Sequence, residues 1–277
     1  MVLGFLGKSE SVIPFYFLNF IKPFVSIGRL TLPTYGIMMV LAFLVAGTVF
    51  YLLAPRVGLP RPDAFNAVAL IFVGGLVGAK LFYLLSLIPY WRVLFAHGWQ
   101  AVLAEIVSGG MVFYGGLIGG LIVLLIYLKK FKLPLAGSFD IAAIALALGH
   151  AIGRLGCFSV GCCYGVPSRH GILMPHSIIA PNDIRLVPTQ LIESAFLLLL
   201  ALGLYLLLRK SPRPGVVTKT YLVAYAVFRF VLEFWRGDRV RGFIGPFSVS
   251  QWISLLLLAA LLVYELSKKL RSPSKTD

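Results

Sequence analysis

Residues 153–165 read Gly153-Arg154-Leu155-Gly156-Cys157-Phe158-Ser159-Val160-Gly161-Cys162-Cys163-Tyr164-Gly165 and hold every cysteine of the chain. Glycines at this density let the backbone turn sharply and approach a ligand closely. Arg154 adds a permanent cation whose planar fork of donors suits phosphate or carboxylate. A second group lies at 225–236, where Tyr225, Arg229 and Glu233 recur at i, i+4 spacing and so share one helix face, with Arg236 close behind. Gln190 and Glu193 form a third polar pair, just after Pro188-Thr189. Lys80 stands alone in apolar sequence. Tyr114 is a polar ring set between the pairs Gly109-Gly110 and Gly115-Gly116.

These residues matter because of what surrounds them. The chain has 277 residues, of which 59% are hydrophobic and only 13% charged. That is far more apolar than a soluble domain. Apolar runs long enough to cross a bilayer recur along it. The expectation is an all-α, polytopic membrane protein of seven transmembrane helices in one bundle. The expected spans lie at about 34–54 and 65–88, then one entered through the 109–120 glycine stretch and running to about 128, then at about 137–153, one starting at 188, and at about 217–235 and 248–266. Residues 1–31, rich in phenylalanine, read as an interfacial segment. Residues 32–266 form the transmembrane domain, and 267–277 a basic cytoplasmic tail. The stretch 89–110 reads as an extramembrane loop, and Asp140 as an acidic charge near the start of its own helix.

The net charge of +15 would point a soluble protein toward nucleic acid. Here the cations cluster in short loops between apolar runs, which sets membrane orientation, and no nucleic-acid partner is expected. The loops after the first, third and fifth spans, with the tail, carry the larger share of Lys and Arg and are assigned to the cytoplasm. Arg154 and the loop that follows it then face outward.

Ionisable groups within or bordering membrane spans are functional candidates, because an unused one is costly there. Arg154, Arg229 and Lys80 are such cations, and Glu193 and Glu233 such carboxylates. Arginines at headgroup depth suit a phospholipid phosphate, and a nearby carboxylate orients an arginine or handles a proton. The simpler reading of Arg229 and Glu233 is mutual neutralisation. The cysteines are spaced C-x4-C-C and not as paired C-x2-C, so no metal site is expected. Each cysteine reads either as a small buried packer or as a thiol activated by Arg154. Cys162 is the first candidate for reactivity. Cys163, its neighbour, is expected to point away from the same cavity. His150 and His97 are single histidines with no triad spacing.

From Tyr35 to Gln251 the order of motifs resembles the bacterial prolipoprotein diacylglyceryl transferase family. The resemblance rests on Tyr35-Gly36, the 109–119 glycine entry, Gly153-Arg154-Leu155-Gly156 with Phe158, Gly165, Pro188-Thr189-Gln190 with Glu193, and Tyr225 through Arg236. It implies a seven-helix protein of the bacterial inner (plasma) membrane with its active site toward the outer side. It implies transfer of a diacylglyceryl group from phosphatidylglycerol, or a similar anionic phospholipid, to the lipobox cysteine of a preprolipoprotein signal segment. Glycerol 1-phosphate leaves, and no cofactor is implied.

By matching positions, Arg154 and Arg229 resemble the family's essential arginines, Glu233 its partner carboxylate, Gly165 its motif-closing glycine, and Tyr35 and Tyr225 its active-site tyrosines. Lys80, Cys157, Gln190, Glu193 and Arg236 complete the expected substrate-binding set. Three positions depart from the family pattern: its histidine is Tyr114 here, its asparagine Cys157 and its glutamate Cys162. Tyr114 and Cys162 would then occupy the base and nucleophile region. Two other functions stay open on these residues. One is a divergent relative that transfers a lipid group to another acceptor or through its own Cys162, a covalent route open to a thiolate. The other is a non-catalytic phospholipid-binding or translocating protein.

Overall fold

A computed structural model describes residues 22–210, 213–238 and 242–271. Nine α-helices carry the described chain: α1 (Thr34–Leu53), α2 (Arg61–Ser86), α3 (Trp91–Ala96), α4 (Trp99–Ser108), α5 (Phe113–Lys130), α6 (Leu135–Val160), α7 (Thr189–Arg209), α8 (Val216–Leu232) and α9 (Val249–Arg271). Six of them are long and apolar enough to cross a membrane: α1, α2, α5, α6, α7 and α9. The fold is thus all-α and polytopic, as the apolar runs require. The sixth expected span, 217–235, corresponds to α8, which has 17 residues and contains Lys219 and Arg229, and is not among the six.

The elements differ from the sequence expectation in four places. The expected loop at 89–110 is mostly helical, as α3 and α4. There Trp91, Phe95 and Trp99 lie ring beside ring, at 5.6 and 6.0 Å between centroids. The expected interfacial segment ends in a hairpin, with β1 (Phe24–Ile27) antiparallel to β2 (Leu30–Pro33) around Gly28; the rest of that segment, 1–21, lies outside the described residues. Helix α9 runs on to Arg271, past the expected start of the tail. Asp140 does not serve its own helix. Its carboxylate accepts the N–H groups of Gly215 and Thr218 at 2.7 Å, capping the start of α8. Four N–H groups at a helix start have no partner within the helix, so a buried carboxylate there answers a real need.

The chain divides into two compact units. One holds residues 43–149 and 199–224. Its closest packing is α2 against α5, where Gly74, Gly75 and Gly78 meet Gly115, Gly116 and Gly119 backbone to backbone. A Cβ on Gly116 would lie 3.2 Å from the Gly75 carbonyl oxygen, and one on Gly74 would lie 2.6 Å from the Val123 side chain. Small residues of this kind let membrane helices approach closely.

The other unit holds residues 1–42, 150–198 and 225–277. It contains the start of α1, the ends of α6 and α8, the start of α7, the loop between α6 and α7, and α9. The loop carries β3 (Pro167–Ile172), bridged to Leu186. Phe158, Met174, Ala180 and Leu186 pack into its core against Tyr164, Ile172 and Leu191. After α8, β4 (Phe243–Ile244) pairs with β5 (Phe247–Ser248) and leads into α9.

Candidate active site

The site is built on three helix ends of one unit. Pro188 precedes α7 and accepts the Ile192 N–H, so Glu193 falls in the first full turn with its side chain completely buried. Ser194 donates to the Ala151 carbonyl at 2.9 Å and ties α7 to α6. Phe196 and Phe228 stack face to face, with centroids 3.7 Å apart, and tie α7 to α8. These two contacts bring Arg154 and Arg229 to the same carboxylate.

Glu193 is the centre. Arg154 Nη2 lies 3.0 Å from its Oε1, and Arg229 Nη1 lies 3.9 Å from its Oε2. The Tyr225 hydroxyl donates to Oε1 at 2.8 Å. His150 Nε2 stands 3.7 Å from Oε1 and accepts from Arg154 Nε at 3.2 Å. An arginine nitrogen can only donate, so this bond assigns His150 its neutral form with the proton on Nδ1. Arg229 Nη2 pairs with Glu233 at 2.8 Å and reaches Ser250 Oγ at 3.2 Å. Glu233 sits in the 3-10 turn Glu233–Trp235 that follows α8, so the expected i, i+4 pair holds although the α-helix stops at Leu232.

Arg236 is buried and grips Asp238 with two bonds, at 3.0 and 2.8 Å. Burial opposes its charge, and the bonds to Asp238 outweigh it, so its pKa is raised. Gly165 pairs with Arg236 across an isolated bridge. A Cβ on Gly165 would lie 2.6 Å from the Val187 carbonyl oxygen and 2.7 Å from that of Trp235. This close approach of three strands of chain explains the glycine.

Charges within the group balance, with three guanidiniums against Glu193, Glu233 and Asp238. Donors do not balance. Arg229 Nη1 and Arg236 Nη1 are buried donors without a hydrogen bond among the described residues, and Glu193 Oε2 and Gln190 Oε1 are buried acceptors without one. A buried donor without an acceptor is costly, and an anionic ligand would satisfy both donors. A cavity of about 540 Å³ in the same unit is lined mainly by apolar side chains, Val187, Ile192, Phe228, Val231 and Leu232 among them, and by no residue of this cluster.

The three cysteines converge in the same unit. Their sulfur atoms all lie within 4.8 Å of one another, and each residue is half-buried. Cys163 therefore does not point away from its neighbours as expected. Gly161 has φ 76° and Cys163 has φ 63°, and two left-handed residues so close together undo the alternation that adjacent side chains otherwise show. Gln190 Nε2 donates to the Cys162 carbonyl and Thr189 Oγ1 to the Cys163 carbonyl, each at 2.7 Å. Hydrogen bonds from Cys157 and then Cys162, helped by Arg236 and Arg154, hold the Cys163 thiol well below the ordinary thiol range. The hydrogen bonds to Cys157 and Cys163 push Cys162 up. Tyr35, near the start of α1, packs over Gly156, where a Cβ would lie 3.4 Å from its ring. It stands in electrostatic reach of the thiols and Arg154.

Of the expected site residues, Arg154, Arg229, Glu233, Glu193, Tyr225, Gln190, Arg236, Gly165, Tyr35, Cys157 and Cys162 all fall in this unit. Lys80 and Tyr114 belong to the other. There Lys80 Nζ donates to the carbonyls of Glu105 and Gly109, at 3.3 and 3.0 Å, over the Tyr83 ring. Tyr83 donates to the Glu105 carboxylate. Tyr114 is half exposed and packs edge-on against Phe113. Sequence reasoning left His150 outside the candidate set as a single histidine, whereas the structure sets it against Arg154 and Glu193. Its signal was its place four residues before Arg154, on the same helix face.

Apolar spanning helices whose ends hold arginines on a shared buried carboxylate define a polytopic membrane protein with a charged site built into its helix ends. Comparison with known proteins is specific: the model of the family described as "Prolipoprotein diacylglyceryl transferase" matches residues 22–266. The chain belongs to the prolipoprotein diacylglyceryl transferase family. It is 33% identical to the phosphatidylglycerol–prolipoprotein diacylglyceryl transferase of Clostridium tetani, over 84% of this chain and 92% of that protein. It is 32% identical to such a transferase, numbered 2, of Clostridium perfringens, over 85% and 91%. With that of Chlorobaculum tepidum it shares 33% identity over 85% of each chain.

Proposed function

We propose that the chain transfers the diacylglyceryl group of phosphatidylglycerol to the lipobox cysteine thiol of a preprolipoprotein. The observation that carries this reading is the half-buried pair Arg154 and Arg229 on the buried Glu193, with unused guanidinium donors in the same unit as the apolar cavity. The phosphodiester accepts from Arg229 Nη1 and Arg236 Nη1, and an acyl chain lies along Val187, Ile192 and Phe228. The acceptor thiol gives its proton to solvent, and its sulfur attacks the glycerol carbon and forms the S–C bond. The C–O bond to phosphate breaks, and its electron pair goes to the phosphate oxygen. A phosphate monoester leaves with one more negative charge than the diester had. Guanidiniums already fixed by Glu193 and Glu233 stabilise that growing charge without reorganising, the main source of catalysis in such sites.

In the proposed setting the protein is multi-pass in a bacterial inner (plasma) membrane. Helix α8 completes seven crossings, residues 161–188 face outward, and residues 1–31 lie at the interface. The basic tail from residue 267 is cytoplasmic.

Purified protein in phosphatidylglycerol nanodiscs, given a lipobox peptide, tests the reading by mass spectrometry of the peptide. The expected result is a diacylglyceryl adduct on the peptide cysteine. Arg154→Lys and Arg229→Lys should lower the rate by about 10²-fold, because a point charge does not replace a fork of donors. Binding of the lipid without an adduct on the peptide would refute the transferase reading.

A further inference from the structure

We propose that Cys157, Cys162 and Cys163 form the three-thiolate ligand set of one zinc ion, whose fourth position takes the incoming acceptor thiol. The acceptor half rests on the transferase reading above; the ion site does not.

The geometry comes first. Tetrahedral zinc with sulfur ligands at about 2.3 Å spaces the sulfurs about 3.8 Å apart. The three sulfurs already lie within 4.8 Å of one another, the one such grouping of metal-binding side chains among the described residues. Spacing along the chain hid it. The Cys162 N–H closes back on the Cys157 carbonyl at 3.1 Å as α6 ends. Gly161 and then Cys163 turn left-handed. A cysteine at φ 63° is a strained choice, and strain persists where the surroundings over-determine it. Here Thr189 and Gln190 hold the two carbonyls of the turn in place. The thiols are therefore positioned before any ligand arrives, and partners that orient ligands in this way are typical of metal sites.

The chemistry follows. Three protein ligands and one open position are the pattern of zinc sites that act on a substrate. Soft thiolates select zinc or copper(I), and zinc does no redox chemistry. A thiol that coordinates zinc is deprotonated outright. It displaces a bound water, its proton passes to solvent, and the zinc-held sulfur keeps its electron pair for the glycerol carbon. The thioether product is a weak ligand and leaves. Zinc with four thiolates carries two negative charges, and Arg154 and Arg236 stand in electrostatic reach of Cys163 to offset them. The ion also answers a chemical need. The acceptor thiol must lose its proton before it attacks, and coordination to zinc supplies that step.

The test uses the full chain in detergent, reduced and stripped with chelator, then titrated with Zn(II) and separately with Co(II). One zinc per chain is expected, with the intense thiolate-to-cobalt charge transfer and visible bands of a tetrahedral site. Cys157→Ser, Cys162→Ser and Cys163→Ser should each weaken zinc binding at least about tenfold, while eluting as monodisperse protein. A lipobox cysteine peptide should shift the cobalt bands, and its serine version should not. A free thiol is only a few per cent thiolate at neutral pH, so chelation should lower transfer roughly 30-fold. The proposal is overturned if wild type retains no more zinc than the triple serine variant. It is equally overturned if the cysteines form a disulfide in air and bind no metal after reduction, or if the cysteine peptide leaves the cobalt bands unmoved. Full transfer activity after chelation sinks the zinc role and leaves the transferase reading intact. Zinc binding and a peptide shift without transfer from phosphatidylglycerol support the ion site and sink the transferase reading instead.

Discussion

Glu193 is the residue on which the site turns. It is fully buried and bears on Arg154, Arg229 and Tyr225 at once. Removing one partner of a buried ion pair leaves an uncompensated charge, at a cost of about 3–5 kcal/mol. Glu193→Ala should therefore lower the melting temperature clearly in a detergent thermal melt. Glu193→Gln keeps the shape and a hydrogen-bond acceptor. It should unfold less readily than the alanine variant yet lose about 10²-fold or more in transfer, because the arginines are no longer held. Equal loss of stability in the two variants would show that shape, not charge, is what Glu193 supplies.

The cysteines give a second residue-scale prediction. A lowered thiol pKa means that the thiolate persists as pH falls, and a raised one means that it appears only in alkali. In metal-free, reduced protein, Cys163 should alkylate at a rate that changes little from pH 8 down to about 6, against an ordinary thiol near 8.5. Cys162 should react slowly over that range. Peptide mapping after timed alkylation separates them. Faster labelling of Cys162 would restore it to the place that its position beside Arg154 earned on sequence grounds.

At the scale of elements, two devices fix the helices. Asp140 accepts from Gly215, from the Thr218 N–H and from the Thr218 hydroxyl, all within 2.8 Å. Asp140→Ala leaves buried N–H groups unmet and should cost about 1–3 kcal/mol. Asp140→Asn, which keeps an acceptor, should cost less. The second device is the glycine seam between α2 and α5. Gly74→Leu drives a side chain into Val123 at a distance no neighbour tolerates. It should destabilise by about 1–3 kcal/mol. Gly203→Leu, where a Cβ meets nothing within 4 Å, is the matched control and should leave the melt unchanged.

For the molecule as a whole, the prediction is topological. The charge distribution assigns Lys129, Lys130 and Lys132 to the cytoplasm and residues 161–188 to the outside. With the native cysteines replaced by serine, a cysteine at His170 should label with an impermeant maleimide in intact cells. One at Lys130 should label only after lysis. The reverse pattern would invert the site and place the lipid transfer on the wrong face for a secreted acceptor.

What the sequence determined by itself was the class of fold and which charged residues are candidates for the site. Apolar runs of bilayer length require spanning helices, since backbone polar groups have no other partner in lipid. Charges in such runs are too costly to be idle, so Arg154, Arg229, Glu193 and Glu233 were legible from their types and places alone. The i, i+4 spacing of Tyr225, Arg229 and Glu233 fixed a shared face, because helix geometry is periodic. Tertiary structure decided what periodicity does not reach. Glu193, 36 residues or more from both Arg154 and Arg229, became the common carboxylate only through the packing of α6, α7 and α8. Asp140 went to another helix for the same reason: a cap satisfies whichever N–H groups packing brings within reach. The convergence of the cysteines was not legible because reading proximity from spacing assumes ordinary backbone. Left-handed φ at Gly161 and Cys163 broke that assumption and drew three sulfurs together.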